Sequence, residues 1–164
     1  MTKTILFTII PAALMLIITV SMPFYRVKLM NEAGTKRLAL AKKRAFLSYF
    51  TSGIALLLLL LAMKQDFGKF NFVIPYGAVL ALYVSIREST LYPINGVYEN
   101  LIIVGSEILR YKDIEKILSA EETTHPDYVL MIKPKNKDKP RQLIFDNANE
   151  ASEVKKILEE KMNV

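Results

Sequence analysis

The chain has 164 residues, 52% of them hydrophobic, a mean hydropathy of +0.25 and a formal net charge of +6. That length allows one membrane unit with one small appendage rather than two large domains, and the hydropathy exceeds that of an ordinary soluble domain. With no cysteine and one histidine, disulfides, thiolate metal sites, thiol nucleophiles and multi-histidine sites within one chain are excluded.

The positive charge is unevenly placed. Residues 1 to 86 carry ten Lys and Arg against two acids, Glu32 and Asp66, whereas the remainder carries twelve against fourteen. Basicity confined to the apolar half is the asymmetry of a polytopic membrane protein, and it removes most of the case for a nucleic-acid partner.

In chain order, residues 5–25 are apolar with only Thr, Ser and Pro interruptions, and Phe24-Tyr25 closes the run like an interfacial aromatic belt; this reads as a first membrane helix. A cleaved signal peptide is the competing reading, but Lys3 is the only early charge and Ser21-Met22-Pro23 is a poor cleavage site. Pro11 is expected to disturb the first turns and to free a carbonyl that a neighbouring helix must satisfy. The following connector holds Arg26, Lys28, Lys36, Arg37, Lys42, Lys43 and Arg44 against Glu32 alone. So many cations in a short loop place it on the cytoplasmic face. Leu38, Leu40, Ala41 and Ala45 fall near helical spacing, which allows an amphipathic helix on the lipid surface; a solvated connector fits equally well.

A second span over residues 45–63 contains the unbroken apolar run Ile54 to Met63, around which the chain is organised. Ser48, Ser52 and Ala55 form a small-residue stripe suited to close helix packing. Lys64 to Lys69 reads as a polar turn forcing an antiparallel return, and residues 70–86 as a third span with Pro75 in its first turns and a Gly77, Ala81 pair. None of the three spans contains Asp, Glu, Lys, Arg or His, which argues against a transporter, pump or intramembrane protease. Three spans with the first loop inside put the N-terminus outside and everything after Arg87 in the cytoplasm.

Ser89 to Asn95 has linker composition. From Gly96 the period becomes that of strands: Gly96 to Tyr98, Leu101 to Val104, Glu107 to Tyr111, Ile114 to Glu121, Tyr128 to Pro134 and Gln142 to Asp146. A helix follows over Ala148 to Met162, with Asn147 as N-cap, Glu150 at the capping-box position and Ala151, Val154, Leu158 and Met162 as its apolar stripe. The expected architecture is three transmembrane helices (domain 1–88), a linker (89–95) and a small α+β domain (96–164) in which a bent antiparallel sheet is closed by a C-terminal helix.

The run Gly96-Val97-Tyr98-Glu99-Asn100-Leu101-Ile102-Ile103, with Ile108-Leu109-Arg110-Tyr111-Lys112-Asp113-Ile114-Glu115-Lys116-Ile117 after it, resembles the bacterial PH-like domain pattern. There a glycine-led strand, an aromatic, Asp-Ile and a second strand precede further strands and a capping helix; Tyr111 stands where Trp is frequent. The layout is similar to that of small bacterial membrane proteins with three transmembrane helices and a PH-like tail. The resemblance implies a fold and almost nothing about activity.

For Asp113-Ile114 the physical reading is structural: the aspartate caps a turn while Ile114 and Ile117 face the core. Phosphoinositide binding is not expected, because the first strand loop, Glu99-Asn100, is acidic where phosphate recognition needs bases. The one charged constellation with geometry is Lys133, Lys135, Lys137, Lys139 and Arg141, whose alternation would project bases from one face of an extended hairpin toward anionic lipid or an acidic partner. A solvated Lys-rich loop is the plainer alternative. His125 among scattered carboxylates lacks a convergent ligand set, and no nucleophile elbow, P-loop or glycine-rich phosphate loop is present. The chain is therefore expected to be a non-enzymatic protein of the cell (inner) membrane, without metal or cofactor. Its expected partners are the lipid bilayer and a protein or a second copy, with neither nucleic acid nor a small-molecule substrate. Immunity against a membrane-active bacteriocin, and an accessory role in a transport or cell-envelope complex, are the alternatives.

Overall fold

The computed structural model describes residues 5–40, 46–118, 126–135 and 137–162. The chain divides into two compact units, Met1–Lys28 with Arg44–Leu91, and Leu29–Lys43 with Tyr92–Val164. Residues 29 to 40, read from sequence as part of a connector in the first domain, thus belong with the strands. Lys42, Lys43 and Arg44 lie outside the described residues, as do His125 and the far end of the strand expected to reach Glu121.

The helical unit opens with a π-helical turn, Ile5–Ile9, that runs into α1 (Ile10–Ala33); α2 (Phe46–Lys64) and α3 (Val73–Leu91) follow. Among the described residues one helical stretch, Ile5–Ala33, is long and apolar enough to cross a membrane, and Ser48–Lys64 is a shorter apolar helix. The wide first turn is where Pro11 acts. In π spacing its missing N–H would have served the carbonyl five residues back, that of Leu6, and the Tyr76 hydroxyl donates to this oxygen at 3.1 Å. Pro23 does not end α1, which continues well past Tyr25.

The α2–α3 turn is tied by side chains: Asp66 Oδ1 accepts from Gly68 N–H at 2.8 Å, and Asn71 Oδ1 accepts from Phe67 N–H at 2.7 Å. The two helices then return antiparallel, with Ser48 opposite Glu88 and Ser52 opposite Ser85. Ser48 Oγ donates to the Glu88 carboxylate at 2.8 Å, the Ser52 and Ser85 hydroxyls are 2.7 Å apart, and Ser85 Oγ donates to the Ser48 carbonyl. Ala55 and Ala78 are fully buried beside them, with Met15, Leu59 and Leu82 completing the cluster. The Ser48, Ser52, Ala55 stripe therefore lies at a helix interface. On α3 the facing residues are Ala78, Leu82 and Ser85, whereas Gly77 of the expected pair is exposed. The helix also runs on through Arg87 and Glu88, so the first three residues of the expected linker are helical and Tyr92–Ile94 forms a 3-10 turn.

The second unit holds two antiparallel sheets and one helix. The first, in order, is β1 (Lys36–Ala39), β2 (Gly96–Tyr98), β3 (Leu101–Val104) and β4 (Glu107–Arg110); the second is β5 (Ile114–Leu118), β6 (Val129–Pro134) and β7 (Arg141–Ile144). Of the residues that sequence allowed as a surface helix, Leu38 lies in a strand, β1, and Leu40 just after it, while Ala41 and Ala45 lie outside the described residues. Leu40 joins the core and Leu38 packs against it, a burial the cations around them obscure. β1 reaches β2 because Gly96 has no side chain: a Cβ there would sit 2.6 Å from the Leu38 carbonyl oxygen.

Helix α1 ends at Gly34, whose φ of +76° suits a left-handed cap and whose N–H bonds the Met30 carbonyl at 3.3 Å. The β2–β3 turn covers the open carbonyls, Asn100 Nδ2 donating to Glu32 O at 3.0 Å and Asn100 N–H to Ala33 O at 3.1 Å. Between β3 and β4 the two-residue turn Gly105-Ser106 takes φ +62° at its glycine, as tight hairpins require.

After β4, residues Tyr111–Asp113 make a 3-10 turn, Asp113 O accepts from Lys135 N–H at 2.8 Å, and Ile114 enters the core. Tyr111 is buried there with its hydroxyl donating to Tyr98 O, and burial pushes its pKa up to about 12, with Arg37 acting in the opposite sense. Helix α4 (Ala148–Met162) lays Ala151, Val154 and Leu158 on the core. Asn147 Oδ1 accepts from Glu150 N–H at 2.9 Å, while the Glu150 carboxylate turns back to the Asn147 amide and Asp146 N–H, a variant of the expected capping box.

Candidate functional site

The hairpin singled out for its bases is extended only at its ends. β6 stops at Pro134 and β7 starts at Arg141, so the alternation of Lys135, Lys137 and Lys139 does not set them on one strand face. Nor is the charge all free. Lys133 pairs with Glu115 at 3.0 Å, Lys137 with Glu107 at 2.9 Å, and Arg141 with Glu107 through Nε at 2.7 Å and Nη2 at 2.8 Å. Lys135 and Lys139 are exposed on the loop, and Lys139 O accepts from Arg141 Nη1 at 3.3 Å.

Glu107 holds this cluster together. The Arg141 guanidinium, bonding it in a fork, keeps its carboxyl below the usual carboxylate range against a smaller opposing effect of burial, and Lys137 adds to the lowering. Arg141 is raised in turn by the same hydrogen bond. The residue was not legible as part of a site, since it is a lone acid in a short strand and its partner is distant in sequence.

Of the connector cations, Arg26 and Lys28 are exposed on α1, Lys36 Nζ stands 5.8 Å from the Tyr98 ring centre, and Arg37 is 3.7 Å from Glu99. Glu99 lies below the usual carboxylate range chiefly because Thr35 hydrogen-bonds it, the hydroxyl at 2.9 Å, with Arg37 adding to the effect. Arg110 reaches Glu32 at 2.7 Å.

Beside the Glu107–Arg141 pair lies a cleft of about 380 Å³. Asn95 lines it, only 6% exposed, and its Oδ1 is the one buried side-chain polar atom among the described residues that has no hydrogen-bond partner. Leu40, Val104 and Ile144 supply apolar wall, and Ser106 stands in the turn at its rim. No sequence signal marked Asn95, which reads as a loop residue before a glycine-led strand. Among the described residues no three His, Cys, Asp or Glu gather to hold a metal.

Comparison with protein-family models, with curated proteins and with solved structures found no match.

Proposed function

We propose that the chain is a multi-pass membrane protein whose helices anchor a PH-like, non-enzymatic interaction module on the cytoplasmic face. The observation that carries this reading is the distribution of exposed apolar side chains. Among the described residues every large exposed hydrophobic except Tyr128 lies in the helical unit, Leu16, Ile17, Phe24, Leu57, Leu60 and Leu80 among them. In the sheet unit the same residue types, Tyr128 aside, are buried or half-buried among the described residues. An apolar surface that extensive on a helical unit is matched by lipid, whereas water would favour its aggregation.

Strand pairing supports the topology independently of charge. Leu38 of β1 pairs with Val97 of β2, so both must lie on one side of any membrane and an even number of crossings must separate them. α2 and α3 are the two helices between them in sequence. Crossing by both, together with α1, gives the three spans and the outside N-terminus that the basic connector implies.

The absence of cysteine makes the test direct. Single cysteines at Gln65, in the α2–α3 turn, and at Glu159, on the exposed side of α4, are treated with a membrane-impermeant maleimide on intact cells. Gln65→Cys is expected to label at once and Glu159→Cys only after permeabilisation, with the protein resisting alkaline carbonate extraction. The opposite labelling, or release by carbonate, overturns the reading.

A further inference from the structure

Tyr92 is the first residue after α3, and it lines the same cleft as Glu107, Pro140 and Arg141. A Cβ on Gly105, in the turn before Glu107, would stand 3.6 Å from Tyr92 Cε1. Glu107 in turn holds Lys137 at 2.9 Å and Arg141 at 2.7 Å. The loop between β6 and β7 is therefore fixed beside the residue at which the chain leaves its last apolar helix. Where α3 leaves a bilayer, Tyr92 follows within one residue, about 3.5 Å, and sits at the depth where tyrosine is favoured. The loop also carries a charge excess. Its segment 133–141 holds five bases, which Asp138 and the paired carboxylates Glu107 and Glu115 offset by three, leaving +2. Lys135 and Lys139 are exposed and enter no salt bridge among the described residues.

We propose that the β6–β7 loop rests on anionic lipid headgroups of the leaflet from which α3 emerges, with Lys135 and Lys139 making the contact. The inference rests on the multi-pass reading above and gives its basic loop a partner. Bonding within the loop sets the kind of recognition. Arg141, the side chain suited to a forked bond with phosphate, has Nε and Nη2 on Glu107 and Nη1 on Lys139 O. Two lysines on an irregular loop supply charge without fixed geometry, which suits a diffuse anionic plane and gives no preference among headgroups of equal charge. An acidic protein or a nucleic acid would answer the same charge, but the chain itself holds only the leaflet beside this loop, within reach of unscreened attraction.

The test uses the full chain, which has no cysteine of its own, reconstituted in nanodiscs. Ser106→Cys, in the partly exposed turn at the rim of the cleft, carries a fluorophore, and a small fraction of the lipid carries a nitroxide on its headgroup. When phosphatidylglycerol replaces part of the phosphatidylcholine, quenching is expected to rise at least about twofold, to do so equally with phosphatidylserine, and to fall back in concentrated salt. Lys135→Gln with Lys139→Gln is expected to abolish the rise, whereas Lys155→Gln with Lys156→Gln, which removes the same charge from the exposed side of α4, keeps it. Quenching indifferent to lipid charge, or a rise that survives in the Lys135, Lys139 double variant, overturns the leaflet contact and leaves the membrane reading standing. A chain that stays outside the nanodiscs, soluble without detergent, overturns both.

Discussion

Gly96 and Glu107 each hold together parts of the chain that sequence keeps far apart. At Gly96 the neighbouring strand passes so close that a methyl group would meet the Leu38 carbonyl oxygen at 2.6 Å. Gly96→Ala is therefore expected to push β1 off β2 and to cost about 2 kcal/mol, the scale of a steric insult in a packed sheet, read as a lowered urea midpoint of the sheet unit's unfolding. Glu107 works by charge. Its carboxyl is held below the ordinary range in the folded chain by the Arg141 hydrogen bond, so its contribution is fully present above the ordinary carboxylate pKa and is lost as pH falls through the lowered folded value. At pH 7, Glu107→Gln is expected to cost roughly 1 kcal/mol, since the pair is partly solvated, and the two proteins' urea midpoints should converge as the medium is acidified. A constant gap down to pH 2 would mean that the side chain acts through packing instead.

At the scale of elements, what could be read from sequence was what depends on local pattern. Strand positions β2 to β7 and helix α4 follow from β-branched alternation, turn residues and the Asn147, Glu150 cap, each of which acts within a few residues. Missed were the features decided by partners far along the chain. α1 overruns its expected end at Tyr25 by eight residues, to Ala33, and the carbonyls of Glu32 and Ala33 at that end are met by Asn100, far along the chain. β1 exists because Gly96 leaves room for it, and the seven cations of its connector pointed to solvent rather than to a sheet. Of the candidate site, sequence singled out Arg141 but neither Glu107 nor Asn95, because these meet it only once register is set. Pro11 shows the converse, a local rule that correctly required a distant donor. Tyr76→Phe removes that donor and, because the bond is exposed, should lower resistance to thermal unfolding in detergent by only about 0.5–1 kcal/mol, whereas Tyr49→Phe, at an exposed ring on α2, should change little.

For the molecule as a whole, the sheet unit is discontinuous in sequence, and if α2 and α3 both cross the bilayer their number is fixed by strand pairing. Removing α3 alone would leave one crossing between β1 and β2, stranding Leu38 and Val97 on opposite faces, and no rearrangement of loops restores a sheet across a membrane. Removing residues 46–91 together, with a short Gly/Ser linker in their place, returns both strands to one side while α1 still anchors the chain. The smaller deletion is therefore expected to be the more damaging one. Deletion of 73–91 should leave the strands open to protease within minutes in membranes broken open to both faces, whereas deletion of 46–91 should keep residues 96–162 protected as in the parent. General damage from losing helix packing predicts the reverse order, because both deletions discard Ser85 and Ala78 and with them the α2–α3 interface, while the larger also removes Ala55 and Leu59, which cluster with Met15 of α1. The order of the two deletions thus separates a crossing count imposed by β1–β2 pairing from simple dependence of the sheets on their helical neighbours.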